Sequence, residues 1–310
     1  MTETLGLLCM SYGTARGPDD VEAYYTHVRR GRPPPTELLE DLKRRYAAIG
    51  GRSPLIEITE AQVRGLEKIL NEGPTGPQFR AYHGMKHQRP YLEDAVQEMA
   101  RDGVTSAVGL VLAPHYSRFS VGEYVERVER AAAAEGISFT FVESYAAHPA
   151  FVAFVAGRVG EALERLPADL RDGARVIFSA HSLPARIVEL GDRYPDELEA
   201  TAAAASRRLG LSQYEVAWQS AGRTGEPWLG PDLAAVLRSL GARGVRAAVS
   251  CPVGFVSDHL EVLYDVDIEA QDAAREAGVT LVRTESPNDD PVFLAALADV
   301  IRDHLAGAQR

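Results

Sequence analysis

The chain has 310 residues, of which 45% are hydrophobic and 25% are charged, and its formal net charge is −11 at pH 7. This length and composition allow a full buried core and two domains, so we expect a soluble globular protein. The acidic balance argues against a nucleic-acid partner, because phosphate binding needs a concentrated excess of Lys and Arg. Any anion must therefore bind at a local basic patch.

The cysteines and the apolar runs bear on where the protein resides. Cys9 and Cys251 lie in apolar strand-like runs, where free thiols behave as small hydrophobic residues, and this suits a reducing cytosol. No amino-terminal stretch has the pattern of a secretory signal. The longest apolar runs, such as residues 107–113, are far shorter than the ~20 residues needed to cross a bilayer. We expect a cytoplasmic protein without integral membrane contact.

Strand-like runs alternate with helix-like runs along the whole chain, which predicts parallel sheets with helices on both faces. The predicted strands are residues 5–12, 79–84, 107–113 and 139–143 in the first half, and 176–180, 214–218, 247–252 and 280–284 in the second. Helices are predicted at residues 17–25, 36–48, 59–71, 91–101, 121–135, 149–164, 195–209, 231–240, 259–277 and 291–305. The fold class is therefore α/β, with two similar Rossmann-like lobes, each a four-stranded parallel sheet flanked by helices, facing a cleft.

The first strand of each half ends in polar residues. Tyr12 follows the strand that opens the chain, and His181 ends the equivalent strand of the second half. Since open parallel sheets build ligand sites at the carboxyl ends of their strands, the two side chains are expected on opposite walls of the cleft. Taken alone, His181 also fits a hydrogen-bonded structural residue, and Tyr12 fits a core aromatic at the rim.

Three carboxylates recur at intervals of four on a predicted helix, namely Glu261, Asp265 and Glu269. This spacing stacks them along one helix face, where like charges repel by a few tenths of a kcal/mol per pair. A solvated acidic face is one interpretation. The other is a path for a hydrated divalent cation, because hard oxygen ligands exchange water easily.

A basic cluster precedes three consecutive prolines in the segment 26–35. Prolines cannot occupy a helix interior, so this segment is predicted as an extended flap with Arg29, Arg30 and Arg32 at its tip. Arginines in this arrangement favour a bidentate grip on carboxylates or phosphates. Signatures of nucleotide binding, serine hydrolysis and zincin chemistry are missing from the sequence.

Several motifs together resemble the ferrochelatases, the class II chelatases that insert iron into a porphyrin. They are Leu7–Thr14 (LLCMSYGT), Tyr46–Pro54 (YAAIGGRSP), Val111–Ser117 (VLAPHYS), Phe178–Pro184 (FSAHSLP), Trp218–Pro231 (WQSAGRTGEPWLGP) and Pro252–Glu261 (PVGFVSDHLE). The resemblance implies a chelatase-like fold with a porphyrin cleft between the lobes. It places the first lobe at residues 1–148 and the second at 149–287, with the helix at 288–310 packing back on the first lobe.

The resemblance also implies the site. His181 and Glu261 form the catalytic, metal-side pair, Tyr12 contacts the iron axially from the opposite porphyrin face, and Asp265 with Glu269 forms an outer cation site for Mg²⁺ or Ca²⁺. The residues implied to contact the macrocycle or its propionates are Tyr12, Arg29, Arg30, Arg45, Tyr46, Ser53 and Tyr124. A neutral His181 is expected to accept a pyrrole proton, with Glu261 stabilising the resulting charge.

The charged flap resembles that of bacterial members that use coproporphyrin III, whose four propionates suit an arginine cluster. Many relatives bind a 2Fe–2S cluster through cysteines, but this chain has too few, so Fe(II) is expected as substrate and no cofactor as a permanent ligand. Protoporphyrin IX as substrate, a cobalt or nickel tetrapyrrole chelatase, and a non-catalytic porphyrin or haem carrier remain alternatives. We expect a monomer that contacts neighbouring haem-pathway enzymes only transiently.

Overall fold

The computed structural model describes residues 4–72 and 77–308. Eight parallel strands form two four-stranded sheets, with the orders β2-β1-β3-β4 and β6-β5-β7-β8. This confirms the predicted fold class. The strands are β1 (Thr4–Ser11), β2 (Gln78–Met85), β3 (Ser106–Val111), β4 (Ser138–Val142), β5 (Arg175–His181), β6 (Tyr214–Gln219), β7 (Ala247–Cys251) and β8 (Thr280–Arg283).

Continuous apolar sequence explains why β1 occupies a central place in its sheet. Its residues from Leu7 onward are buried, and it pairs with β2 on one side and β3 on the other, so that Leu8 lies opposite both Tyr82 and Gly109. Parallel strands covered on both faces need such unbroken apolar runs. The strand β5 has the same place in the second sheet, between β6 and β7.

Helices cover both sheets. They are α1 (Val21–Val28), α2 (Thr36–Ala48), α3 (Leu55–Leu70), α4 (Leu92–Arg101), α5 (Val121–Glu135), α6 (Pro149–Arg165), α7 (Arg186–Glu189), α8 (Tyr194–Leu209), α9 (Leu233–Ala242), α10 (Gln271–Glu276) and α11 (Pro291–Ala308), together with a π-helix at Val262–Ala270. Within residues 4–72 and 77–308, no helix is long and apolar enough to span a membrane.

Two predicted segments differ from the structure. The flap begins later than predicted, because α1 continues to Val28 and ends in a turn where Arg30 and Gly31 have φ angles of 57° and 80°. Only residues 32–35 then lack regular structure. The helix predicted at 259–277 is present and continuous from residue 260 to 276, but Val262–Ala270 within it form a π-helix, which leads directly into α10. Sequence periodicity does not distinguish the two helix types over so short a stretch.

One hydrophobic cluster spans both halves, and each half also has a cluster of its own. A single cluster of buried side chains includes Leu7 and Val108 of the first sheet and Phe178 and Val249 of the second. Helix α11 packs against both α3 and α6, so it contacts elements on either side of residue 148. The boundary placed after residue 148 stays a prediction.

Gly254 brings the loop after β7 against the end of β5. Its backbone N–H donates to the Ser179 carbonyl at 3.0 Å, and a Cβ at this position would lie 2.5 Å from the Ala180 Cβ. Only glycine fits this approach without a shift of the backbone. Because β5 ends at His181 and this loop leads to Glu261, the contact holds the two chain segments of the candidate site together.

Candidate active site

An imidazole and a carboxylate meet at the carboxyl ends of β5 and β7. His181 Nε2 lies 3.5 Å from Glu261 Oε1, and His259 Nε2 lies 3.5 Å from the other carboxylate oxygen. His181 Nδ1 donates to the Ser182 carbonyl, which fixes the ring orientation. The side chains of His181 and Glu261 are each 34% exposed, so the pair is accessible from the cleft.

The two groups shift each other's protonation. Burial alone would lower the pKa of His181, but the charge of Glu261, the bond to it and the Ser182 carbonyl together raise that pKa from 6.5 to about 9. Burial alone would raise the pKa of Glu261, but His181 and His259 hold it well below its usual range. The pair is therefore an imidazolium beside a carboxylate at pH 7. Glu261 favours the charged form of His181 in the substrate-free protein, and proton acceptance by a neutral imidazole stays a prediction.

Tyr12 comes from the first sheet, whereas His181 belongs to the second. It directly follows β1, and its side chain is 44% exposed, which is unusual for a large aromatic residue at a strand end. Desolvation within the cleft and the negative charges of Glu261 and Glu123 raise the pKa of the Tyr12 phenol. The effect of Glu261 means that the phenol and the His181–Glu261 pair border the same space.

Two histidines that the sequence analysis did not single out support this wall. His27 Nδ1 and His87 Nδ1 are 3.1 Å apart, so one donates to the other. The His87 ring lies 4.6 Å from the Tyr12 ring, and His27 stacks on Tyr91 at 4.9 Å. Burial and the nearby charge of Lys86 lower the pKa of His87 to about 3, which keeps this ring neutral. In the sequence, a role for His87 was indicated only by its position two residues after the end of β2.

The flap arginines differ in their surroundings. The Nε of Arg29 is buried and makes no hydrogen bond in the described part of the chain, and its guanidinium lies 5.8 Å from the Tyr25 ring. Arg30 is 88% exposed and lies 3.7 Å from Glu123. Arg32 is exposed. A buried guanidinium nitrogen without an acceptor is costly, so Arg29 is ready to bind an incoming carboxylate.

Arg45 occupies the place between the outer carboxylates. Its guanidinium donates to Asp265 at 3.0 Å and to Asp41 at 3.3 Å, and it lies 3.8 Å from Glu269. Burial and the charge of Glu261 raise the pKa of Asp265 to about 6, although a Ser220 hydrogen bond and Arg45 oppose this. The predicted Mg²⁺ or Ca²⁺ site is thus arranged around a guanidinium. In the described part of the chain, no group of three or more His, Cys, Asp or Glu side chains is arranged to hold a metal ion.

The remaining predicted residues are buried supports around the cleft. The Tyr46 hydroxyl bonds to Thr14 Oγ1 at 2.6 Å and accepts the Ala15 N–H at 3.2 Å, which braces the loop after Tyr12. Ser53 lies at the start of α3, where its hydroxyl accepts the Leu55 N–H at 3.4 Å. Tyr124 is buried on α5, with the Lys86 ammonium 5.1 Å from its ring. Their contact with a macrocycle stays a prediction.

Two parallel sheets with a His–Glu pair after one and a phenol after the other place ligand chemistry at the carboxyl ends of their strands, an arrangement that suits a chelatase-type protein. The ferrochelatase family matches residues 4–305. The chain is 50% identical over 299 residues to the coproporphyrin III ferrochelatase of Bacillus subtilis strain 168, with 96% of each chain covered. It is 49% identical over 301 residues to that of Geobacillus kaustophilus strain HTA426, which covers 96% of this chain and 95% of the relative. The chain belongs to the ferrochelatase family.

Solved structures support the fold. The sirohydrochlorin chelatase SirB from Bacillus subtilis subspecies spizizenii, in complex with cobalt, superposes with a TM-score of 0.60 at 12% identity and covers 97% of this chain and 95% of its own. At such low identity, the likeness extends to the chelatase fold and not to the choice of tetrapyrrole or metal.

Proposed function

We propose that the protein inserts Fe(II) into coproporphyrin III. The observation that carries this is the His181–Glu261 pair, 3.5 Å apart, whose carboxylate also raises the pKa of the Tyr12 phenol. An imidazole and a carboxylate on one face of a flat ring, opposite a phenol, suit removal of protons on one side and axial contact with the metal on the other. Relatives that cover nearly the whole chain at 50% and 49% identity are coproporphyrin III ferrochelatases.

The reaction releases two pyrrole protons as one divalent ion enters, so the residues beside the ring must accept and pass on protons. In the substrate-free protein the pKa of His181 is about 9, and the pair already holds one proton. The pair first has to release this proton to solvent, which its two side chains contact at 34% exposure. His181 Nε2 or Glu261 Oε1 can then accept a proton from the ring and pass it to solvent in the same way, once for each of the two pyrrole protons. The Ser182 carbonyl keeps the imidazole aligned throughout.

Propionate binding would supply the energy that holds the ring in place. Arg29 supports this role because its buried Nε has no hydrogen-bond partner in the described residues. Arg30, on the exposed turn, can follow a bound carboxylate. Arg45 would reach a propionate only by leaving its bonds to Asp41 and Asp265, so we assign it to the outer carboxylates.

Fe(II) is a substrate here, and the proposal needs no resident cofactor. Cys9 and Cys251 are both buried, in different sheets, and a four-cysteine cluster would need twice as many cysteines as the sequence has. A cation at Asp265 and Glu269 would have to displace Arg45. A cytoplasmic location, a monomeric state and transient contacts with neighbouring haem-pathway enzymes stay predictions.

An anaerobic absorbance assay tests the proposal. Purified protein is mixed with coproporphyrin III or protoporphyrin IX and with Fe(II), Co(II) or Ni(II), and the loss of the free-porphyrin spectrum is followed. We expect the highest kcat/KM with Fe(II) and coproporphyrin III. Preference for protoporphyrin IX or for another metal would replace the substrate assignment, and binding without insertion of any metal would identify a carrier.

Two variants connect the assay to the site. His181→Ala should nearly abolish insertion while porphyrin still binds, because it removes the proton acceptor and leaves the flap intact. His304→Ala is the matched control, since His304 lies on α11 away from the cleft walls and alanine is favourable in a helix. Substantial insertion by His181→Ala, or an equal loss in the control, would reject the assigned role.

A further inference from the structure

Glu123 places a carboxylate between two cations on the wall that carries Tyr12. It lies in the first turn of α5, and its Oε2 is 2.5 Å from the Lys86 ammonium. Its other oxygen is 3.7 Å from the guanidinium of Arg30 on the flap. One carboxylate thus joins a buried cation of the cleft wall to an exposed cation of the flap.

Lys86 needs a carboxylate partner because it is almost fully enclosed. Its side chain is only 9% exposed, and its ammonium lies 5.9 Å from the centre of the Tyr12 ring and 5.1 Å from that of Tyr124. Burial lowers the pKa of Lys86, whereas the bond to Glu123 raises it. Leaving such an ammonium unpaired would be strongly destabilising, so the position between Lys86 and the flap must hold a negative charge.

Arg127, one of the two arginines of α5, is already bonded to other groups. Arg127 donates to the Lys86 carbonyl at 2.8 Å and binds both oxygens of Glu93. Arg127 therefore positions the backbone of Lys86 and does not compete for Glu123. The contact of Glu123 with Arg30 is long and solvent-exposed, and pairs of this kind contribute little stability. It can open at low cost when another carboxylate approaches.

We infer that Glu123 is a specificity-determining residue. In the substrate-free protein its carboxylate occupies the position between Lys86 and Arg30, and one propionate of the substrate takes that position on binding. This rests on the proposed function. The exchange of one carboxylate for another keeps Lys86 paired before and after binding. Glu123 then weakens the binding of carboxylate-rich tetrapyrroles and eases their release, because each propionate at this position has to displace it.

Equilibrium binding of metal-free porphyrins, followed by porphyrin fluorescence, tests this without any catalytic step. Glu123→Gln should tighten the binding of coproporphyrin III about threefold to fivefold, the effect of one charge pair, and that of the two-carboxylate protoporphyrin IX by less. Glu126→Gln, an exposed residue on the same helix, removes the same charge and is the matched control. It should change either Kd by less than about twofold.

A double-mutant cycle identifies Lys86 as the shared partner. In a Lys86→Met background, Glu123→Gln should change the Kd of coproporphyrin III much less than in the wild type. Unchanged or weaker binding by Glu123→Gln, or an equal effect in both backgrounds, would overturn the inference while leaving iron insertion by the wild type intact. A wild-type protein that binds neither porphyrin would refute both the proposed function and the inference.

Glu123→Asp covers the case in which the Gln variant does not fold. It keeps the charge but withdraws the carboxylate by one methylene group, away from Lys86 and Arg30. Tighter binding of coproporphyrin III by this variant supports the inference, and an unchanged or weaker Kd contradicts it. A kcat that stays within about twofold of the wild type, while KM falls, separates this role from general damage to the site.

Discussion

The coupling between His181 and Glu261 can be measured by removing one partner. Glu261→Gln keeps the size of the side chain and deletes its charge. Burial lowers the pKa of His181, and Glu261 is the main group that raises it from 6.5 to about 9. Without this charge, we expect the pKa of His181 to fall to about 6.5 or lower.

The expected change is large enough to measure directly. At pH 7, a pKa of about 9 means about 100 protonated molecules for each neutral one, whereas a pKa of 6.5 gives about one for every three. The ratio thus falls by about 300-fold. NMR titration of protein with isotope-labelled histidines reports this change, and the His181 signals are assigned by their loss in His181→Asn.

A second histidine provides the internal control. His148 Nε2 lies 3.2 Å from Asp303, which Glu261→Gln does not touch, so at any one pH the chemical shifts of its ring should be the same in both proteins. A His181 pKa that stays near 9 in the Glu261→Gln protein would refute the reasoning. It would mean that the Ser182 carbonyl or Asp265 stabilises the proton on His181, and that Glu261 is not the coupled partner.

The remaining predictions concern stability and substrate binding. Because folding raises the pKa of His181 from 6.5 to about 9, the stabilisation from this pair is complete below pH 6.5 and is lost as the pH rises through 9. The Tm difference between wild type and Glu261→Gln should therefore shrink between these values, and a constant difference would contradict the coupling. Gly254→Ala should destabilise the fold by about 2 kcal/mol in urea titrations, because the new Cβ would lie 2.5 Å from the Ala180 Cβ. Gly157→Ala is the control, since Gly157 lies on an exposed helix face with open space around it, and this change should stabilise the fold by about 0.5 kcal/mol. Equal effects of the two changes would remove the packing argument. Arg29→Ala should raise the KM for coproporphyrin III about tenfold with a smaller change in kcat. Arg29→Lys should lower that KM only part of the way to the wild-type value, because lysine cannot form the bidentate pair that arginine forms with a carboxylate. An unchanged KM in Arg29→Ala would exclude Arg29 from propionate binding.

The fold followed from the sequence because its signals are strong and local. Buried parallel strands read as unbroken apolar runs, and each of the eight predicted strands overlaps an observed one. Helices α2 and α5 begin and end where predicted. The π-helix was not predictable in this way, because residues spaced by four lie on one face of a helix with i→i+5 hydrogen bonds, as they do in an α-helix.

The site was predictable only where residues end strands or match a family motif. His181 ends a buried strand, Tyr12 follows one, and Glu261 lies in a motif of its own. The partners that tune them come from distant segments. Glu123 meets Lys86 across 37 residues, and nothing in either local sequence indicates this pairing.

The same limit explains Arg45. The motif resemblance implies that Arg45 contacts a propionate. In the structure its guanidinium donates a hydrogen bond to Asp265, 220 residues further along the chain. Such a contact depends on how the lobes pack together, which the local sequence around Arg45 does not encode. The roles of Arg45 and of the outer carboxylates therefore need the binding and insertion experiments above.

A crystal structure of the protein with iron coproporphyrin III tests the central claim most directly. The account predicts a ring lying in the cleft with the Tyr12 hydroxyl directed at the iron from one face and His181 with Glu261 on the other. A ring bound outside the cleft, or with both groups on the same face, would contradict it.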